Sequence, residues 1–163
     1  MSAKTPKLNL FAAAPALLKE YQKAMIALAA SASLEPSLSE LVQIRVSQLN
    51  GCAHCLNLHL AEAREQGESK QRLFLVATWR EAPCYSERER AALGWAEALT
   101  RLSEGADHDA AYAVLKAHFS DEEQVKLSVT INIIGGWNRL AVGFGVFAEA
   151  AEVKASARAA AAA

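Results

Sequence analysis

One helix-start signal occurs three times in this sequence and constrains the fold strongly. A serine precedes a glutamate by three residues in Ser37–Glu40, Ser86–Glu89 and Ser120–Glu123. In such a capping box each side chain accepts a hydrogen bond from the other residue's backbone N–H, which satisfies groups that a helix start leaves unpaired. We therefore predict a helix beginning at each of these points.

The rest of the chain also favours helices. Ala, Leu, Glu, Lys, Arg and Gln are abundant, and no stretch shows sustained two-residue alternation of β-branched residues. The pattern predicts a single all-α domain with one linker over 31–36 and a last helix broken or kinked at Gly135–Gly136. That last helix carries apolar residues on nearly all sides, so it is either the central helix or covered by another subunit. The predicted helices are 15–30, 37–50, 52–66, 69–79, 86–103, 107–118 and 120–148.

Charge and hydropathy exclude two classes of partner. The net charge is −1 and the basic residues are scattered, whereas nucleic acid or an anionic membrane requires a basic face. No stretch reaches the roughly 20 apolar residues that span a bilayer. The N-terminal apolar run is interrupted by Asn9 and Pro15, which disfavours a signal peptide, so we predict a cytoplasmic protein. In that compartment a close cysteine pair indicates metal binding or catalysis.

The segment at 40–59, ELVQIRVSQLNGCAHCLNLH, holds most of the reactive side chains. On a helix that starts after the Asn-Gly pair, Cys52, Cys55 and His59 share one face, whereas His54 points elsewhere. A helix N-terminus stabilises a thiolate, and a two-residue gap allows one sulfur to resolve an oxidised form of the other.

Glu40 belongs to the same group if the chain reverses at Asn50-Gly51. The two helices then run antiparallel, and Glu40 and His59 differ in height by roughly 5 Å at 1.5 Å per residue. A carboxylate, an imidazole and a thiol in one pocket are the components of a proton relay: a base, a shuttle and a nucleophile.

Other interpretations remain open from these residues alone. Glu40 also fits as the third residue of the Ser37 capping box, and His54 as a solvated helix residue. The paired cysteines also fit as buried apolar side chains, or as zinc ligands together with His59, although no second distant ligand pair follows. Cys84 has no partner nearby in sequence and reads as a bystander.

The motif of Glu40, eleven residues, Cys-Ala-His-Cys, three residues and His59 resembles the signature of the alkylhydroperoxidase D (AhpD) branch of the carboxymuconolactone decarboxylase family. The segments WREAPCYSERERAALGWAEALT (79–100) and INIIGGWNRLAVGFG (131–145) are similar to its peroxidase-related members. The resemblance implies an AhpD-like helical bundle with the Cys-x-x-Cys at a helix N-terminus.

The same resemblance sets the expected domain and assembly. The AhpD-like domain is expected over 1–153, with its core at about 20–148, followed by an Ala-rich tail at 154–163 from which we infer no function. Trimers, or hexamers built as trimers of dimers, are implied, and neither a cofactor nor a metal is required.

The resemblance also implies roles for five residues in thiol-dependent reduction of organic peroxides. Cys55 is the peroxidatic thiol, which becomes a sulfenic acid. Cys52, expected to be the more exposed of the two, forms the disulfide and meets a thiol or lipoyl-type reductant. Glu40 and His59 relay the proton of Cys55, and His54 is an auxiliary group.

A non-enzymatic function shares these sequence features. In a redox-sensing or oligomeric binding protein the same disulfide forms reversibly but turns over slowly. The Glu40–His59 relay favours the enzyme, because a passive sensor does not need it. A zinc-stabilised helical module is a third hypothesis.

Overall fold

The structure is a computed structural model, and it describes residues 6–32 and 34–147. In these ranges all regular secondary structure is helical, which confirms the all-α prediction. No helix in them is long and apolar enough to cross a membrane. The Ala-rich tail at 154–163 lies outside the described residues. The α-helices are α1 (Leu10–Ala13), α2 (Pro15–Ser31), α3 (Pro36–Leu49), α4 (Ala53–Glu65), α5 (Lys70–Leu75), α6 (Glu87–Thr100), α7 (His108–His118) and α8 (Asp121–Phe144).

Two of the three predicted capping boxes are confirmed. Ser86 and Ser120 cap α6 and α8, and each forms both reciprocal hydrogen bonds with the glutamate three residues later. The box at Ser37 is wrong. Pro36, whose fixed φ suits a first helical position, starts α3 one residue earlier, and the Ser37 hydroxyl donates instead to Glu68 Oε2 at 2.8 Å. Glu40 therefore lies beyond the cap, in the second turn of α3.

Of the predicted break or kink at Gly135–Gly136, the break is wrong, because helix α8 is continuous through both glycines. The glycine at 136 serves a close approach: a Cβ there would collide with the hydroxyl of Tyr21 on α2. The Tyr21 ring also packs edge-on against Trp137, with ring centroids 4.9 Å apart. The small residue thus lets α2 lie directly on α8, and the helix hydrogen bonds continue past it.

Helix α8 is the central element of the described fold, as one of the two sequence interpretations predicted. It packs against α2, α3, α4, α6 and α7. Its residues Leu127, Ile131 and Ile134 join one apolar core with residues of α3, α6 and α7, and this core includes Cys52 and Cys55. A second core lies between α3, α4, α6 and the α5–α6 segment. The cysteine pair is therefore placed by the main packing of the domain.

One buried carboxylate ties the second core together. Glu97 of α6 accepts hydrogen bonds from Arg45 Nε at 2.7 Å, from Arg80 Nη1 at 2.6 Å and from Trp79 Nε1 at 2.9 Å. Burial alone raises the pKa of a carboxyl, but these three donors together lower the pKa of Glu97. The interaction links α6 to α3 and to the loop before α6.

Candidate redox site

A tight helical hairpin builds the site. Helix α3 ends at Leu49 with Asn50 as its C-cap, and Gly51 adopts φ 65°. The backbone N–H of Cys52 donates to the Ser47 carbonyl at 2.9 Å. A positive φ is readily adopted by glycine because it lacks a Cβ, so Gly51 allows the reversal. The pairs Ser47–Cys52 and Glu40–His59 then follow one another along an antiparallel α3–α4 hairpin, as predicted.

The two cysteines lie at the start of α4 and are joined by a disulfide. Cys52 is the N-cap residue, and its Sγ accepts a hydrogen bond from the Cys55 backbone N–H at 3.3 Å. Cys55 sits in the first helical turn, where unpaired N–H groups stabilise negative charge on sulfur. The Cys-x-x-Cys is thus a disulfide-capable pair at a helix N-terminus.

The expected exposure of Cys52 is wrong in the described chain. Cys52 is 1% exposed and Cys55 3%, so the residue expected to be more exposed is no more accessible than the other. The reason is the cap position. The N-cap residue turns its side chain back over the first turn, and here that turn faces the apolar core formed by α3, α6 and α8.

Glu40 and His59 meet across the hairpin. Nδ1–H of His59 donates to Glu40 Oε2 over 2.9 Å, and the two side chains are only 15% and 9% exposed. Glu62, one turn further along α4, brings its Oε2 to 3.5 Å from the same nitrogen. One imidazole nitrogen therefore faces two carboxylates in a largely buried setting.

This setting determines the charge of His59. Burial by itself lowers the pKa of an imidazole, but the hydrogen bonds and negative charges of Glu40 and Glu62 outweigh burial and raise the pKa of His59 to about 9. At neutral pH and with the disulfide formed, His59 carries a positive charge. It is therefore ready to donate a proton.

This charge predicts a pH-dependent stability. The folded pKa of His59, about 9, lies above its ordinary value of 6.5. The stabilisation from the charged ring is thus complete below about 6.5 and is lost as pH rises through 9. We expect the free energy of unfolding of the oxidised protein to fall relative to His59→Asn by about 3 kcal/mol over that range. Urea unfolding at pH 6, 8 and 10 measures this difference.

A matched control removes another histidine. The free energy of unfolding of His118→Asn, at the end of α7, is expected to differ from that of the wild type by the same amount at each of these pH values. A constant difference between the wild type and His59→Asn would contradict the charged pair.

A cavity of about 250 Å³ borders the relay on the Glu40 side. Helix α3 contributes Ser39, Glu40 and Gln43, and α8 contributes Thr130 and Ile133. The cavity combines polar groups with an apolar wall, and neither cysteine lines it. Glu40 is therefore the residue that connects this cavity with His59.

The site also contains donor atoms of the kinds that bind metal ions. Within 6–32 and 34–147, the group close enough to share an ion is Glu40, His59 and Glu62, whose ligand atoms lie within 4.8 Å of one another. Because the raised pKa of His59 favours a proton on the nitrogen that faces these carboxylates, we describe the group as a proton site and assign no metal ligand. Cys52 and Cys55, bonded to each other, offer no thiolate in this form.

Two further residues complete the site, and the sequence did not indicate the role of either. Asn138 of α8 is 1% exposed; it donates to Ser47 Oγ at 3.2 Å and accepts from Asn50 Nδ2 at 2.9 Å. It anchors the turn before Cys52. Glu62 is the other; its only signal was the three-residue spacing from His59.

His54 occupies the second position of α4 and is partly buried. It lies two residues from the N-cap cysteine, on a different side of the helix from Cys55 and His59. Its auxiliary role stays a prediction.

Comparisons with known proteins identify the family of this chain. The model of the carboxymuconolactone decarboxylase family matches residues 12–98. The uncharacterized protein YdfG of Bacillus subtilis is 38% identical over 113 residues, covering 69% of this chain and 77% of that protein. Among solved structures, a protein of unknown function from Agrobacterium tumefaciens, described as a putative antioxidant defence protein AhpD, is 43% identical with a TM-score of 0.81. That similarity covers 86% of this chain and 95% of the other.

A more distant structure with the same fold belongs to a protein that is named for another reaction. The debrominase Bmp8 has a TM-score of 0.76 at 20% identity, covering 86% of this chain and 75% of its own. At that identity the likeness concerns the fold alone. The family match, the relatives and the cysteine hairpin together show that this chain belongs to the carboxymuconolactone decarboxylase family, as an AhpD-like member.

Proposed function

We propose that the protein is a thiol-dependent peroxidase that reduces organic hydroperoxides through Cys52 and Cys55. The observation that carries the proposal is a disulfide-forming pair at the start of α4, one turn from a histidine that a buried carboxylate holds. The description of the Agrobacterium relative as a putative antioxidant defence protein supports the same chemistry.

The oxidative half starts from the dithiol. Cys55 gives its proton to the Glu40–His59 relay, and the thiolate attacks the terminal oxygen of the hydroperoxide. The O–O bond breaks, the alkoxide leaves and takes up the relayed proton as an alcohol, and Cys55 becomes a sulfenic acid. Cys52 then attacks the Cys55 sulfur, and the hydroxyl leaves as water with the Cys52 proton.

The reductive half needs a thiol donor, of thiol or lipoyl type. Its thiolate attacks Cys52, and Cys55 leaves as a thiolate. His59, charged by the proton that the donor thiol releases on ionising, donates that proton to the leaving sulfur and returns to the neutral form that the next oxidation requires. A second donor thiol then releases Cys52. The relay thus works first as a base and then as an acid, and no metal or organic cofactor takes part.

The burial of both sulfurs adds one requirement. A reductant reaches Cys52 only when the turn at Asn50–Cys52 opens locally, because the chain leaves 1% of that residue exposed. This observation favours a second candidate: a redox sensor in which the disulfide forms but is reduced slowly. The homo-oligomer and cytoplasmic location expected from the sequence remain proposals under either function.

The two candidates differ in turnover. With cumene hydroperoxide in excess and dihydrolipoamide as the donor, we expect peroxide loss to exceed the protein concentration many times over. Glu40→Gln, which keeps the shape of the side chain but removes the carboxylate that faces His59, is expected to slow turnover on the order of 100-fold. Peroxide loss is followed by a ferrous-oxidation assay. Consumption that stops at one equivalent per chain would support the sensor and contradict the enzyme.

The matched control is Glu81→Gln, an exposed glutamate in the loop before α6. Its turnover is expected to equal that of the wild type. A similar loss in both variants would show that Glu40 has no special role.

A further inference from the structure

The geometry points to Glu62 as a positioning residue of the relay: it shares the Nδ1–H of His59 with Glu40 and leaves Nε2 as the nitrogen that exchanges protons. This inference deepens the proposed function and depends on it for its role in turnover. Glu62 lies outside the five motif positions that the sequence indicated.

The contacts place Glu62 on the same atom as Glu40. The distances from His59 Nδ1 are 2.9 Å to Glu40 Oε2 and 3.5 Å to Glu62 Oε2. Glu40 approaches from α3, across the hairpin, whereas Glu62 approaches from α4, on the same face as His59. The ring is therefore held from two directions, and rotation that carried Nδ1 away would break both contacts.

The shared nitrogen also selects a tautomer. A carboxylate only accepts hydrogen bonds, so two carboxylates at Nδ1 favour the form with hydrogen on that atom. In neutral His59 the lone pair is then on Nε2, which becomes the basic nitrogen. The same arrangement occurs in metal and catalytic histidines, whose second nitrogen is fixed by a carboxylate.

The two carboxylates differ in access to water. The Glu40 side chain is 9% exposed, whereas that of Glu62 is 42% exposed. The charged groups that act on His59 are Glu40 from α3 and Glu62 from its own helix. From α8, Thr130 and Ile133 line the same cavity as Glu40, and neither side chain titrates. Removing Glu62 therefore takes away one of the two negative charges that act on His59 and leaves the buried contact between His59 and Glu40 intact.

The test is an NMR titration of the oxidised protein with ¹⁵N-labelled histidine. His59 signals are assigned by their loss in His59→Asn. We expect the wild type to titrate near the pKa of about 9 and, above it, to show hydrogen on Nδ1. Glu62→Gln is expected to lower the pKa of His59 by about one unit and to admit a fraction of the Nε2–H tautomer. Glu62→Asp is expected to restore part of the shift.

The control is Glu65→Gln, an exposed glutamate on the same helix. An unchanged pKa and tautomer in Glu62→Gln, or an equal shift in Glu65→Gln, overturns the inference. The titration uses no peroxide, so it is independent of the proposed function. If Glu62→Gln lowers the pKa of His59 but the wild type consumes no peroxide, the positioning role of Glu62 is supported and the proposed peroxidase function is overturned.

Discussion

Cys55→Ser is expected to abolish the oxidation of the cysteine pair by peroxide. Cys52→Ser is expected to keep the first step of that oxidation, the formation of a sulfenic acid on Cys55. One equivalent of cumene hydroperoxide should oxidise two thiols of the wild type to the Cys52–Cys55 disulfide. In Cys52→Ser the reaction should stop at a sulfenic acid on Cys55, which dimedone traps. In Cys55→Ser the rate of peroxide loss should fall on the order of 100-fold or more, because the thiolate that attacks the O–O bond is gone.

The physical reason for this asymmetry is the position of each sulfur. Cys55 lies in the first turn of α4, and His59 follows it by one turn on the same face. Cys52 precedes the helix as its cap, and its sulfur accepts the Cys55 N–H. A thiol at Cys55 therefore has a proton acceptor within its helix, whereas Cys52 is placed to attack an oxidised Cys55.

Mass spectrometry after reaction and alkylation measures these thiol states. Because both variants lose the same disulfide, each serves as the control for the effect of that loss on stability. Cys84→Ser is the further control, since that free cysteine lies in the loop before α6. It should match the wild type. A dimedone adduct on Cys52 in Cys55→Ser, at the wild-type rate, would reverse the two roles.

Local rules predicted the parts of the site that depend on short distances along the chain. The capping boxes at Ser86 and Ser120 fixed the starts of α6 and α8. The reversal at Gly51, with the rise per residue of a helix, placed Glu40 beside His59, and the structure has this contact at 2.9 Å. The catalytic roles of these residues stay predictions.

Tertiary contacts decided what the sequence could not show. The Ser37 hydroxyl donates to Glu68, 31 residues away, instead of forming the predicted cap. From the sequence alone, the glycine at 136 predicted a break in the helix. In the structure, Tyr21 of α2 occupies the space that a side chain at 136 would need. In each case the partner is distant in sequence, so no local pattern carries the information.

The same limit explains the missed site residues. Asn138 is buried because its amide joins Ser47 and Asn50, some 90 positions earlier. The burial of Cys52 depends on the core that α8 completes, and its helix-start position alone suggested exposure. Glu62 could have been found from its helical spacing to His59, but only once His59 was known to turn Nδ1 toward Glu40.

Glu97→Gln is expected to destabilise the fold by about 3 kcal/mol at pH 7, although it lies outside the redox site. The amide keeps the shape of the side chain but removes the charge that compensates Arg45, whose side chain is 11% exposed. Most of the loss comes from Arg45, because Arg80 is 59% exposed and water already screens it. Urea unfolding of the oxidised protein measures the change.

The pH dependence of this loss identifies its cause. The pKa of Glu97 is lowered from 4.5, so its stabilisation is present above 4.5 and is lost as pH falls through the folded pKa. The gap between the wild type and Glu97→Gln should therefore narrow in acid. Glu87→Gln, on the same helix and 78% exposed, should change stability by no more than about 0.5 kcal/mol. A gap for Glu97→Gln that persists unchanged into acid would mean that packing, and not the buried charge, holds α6 to α3.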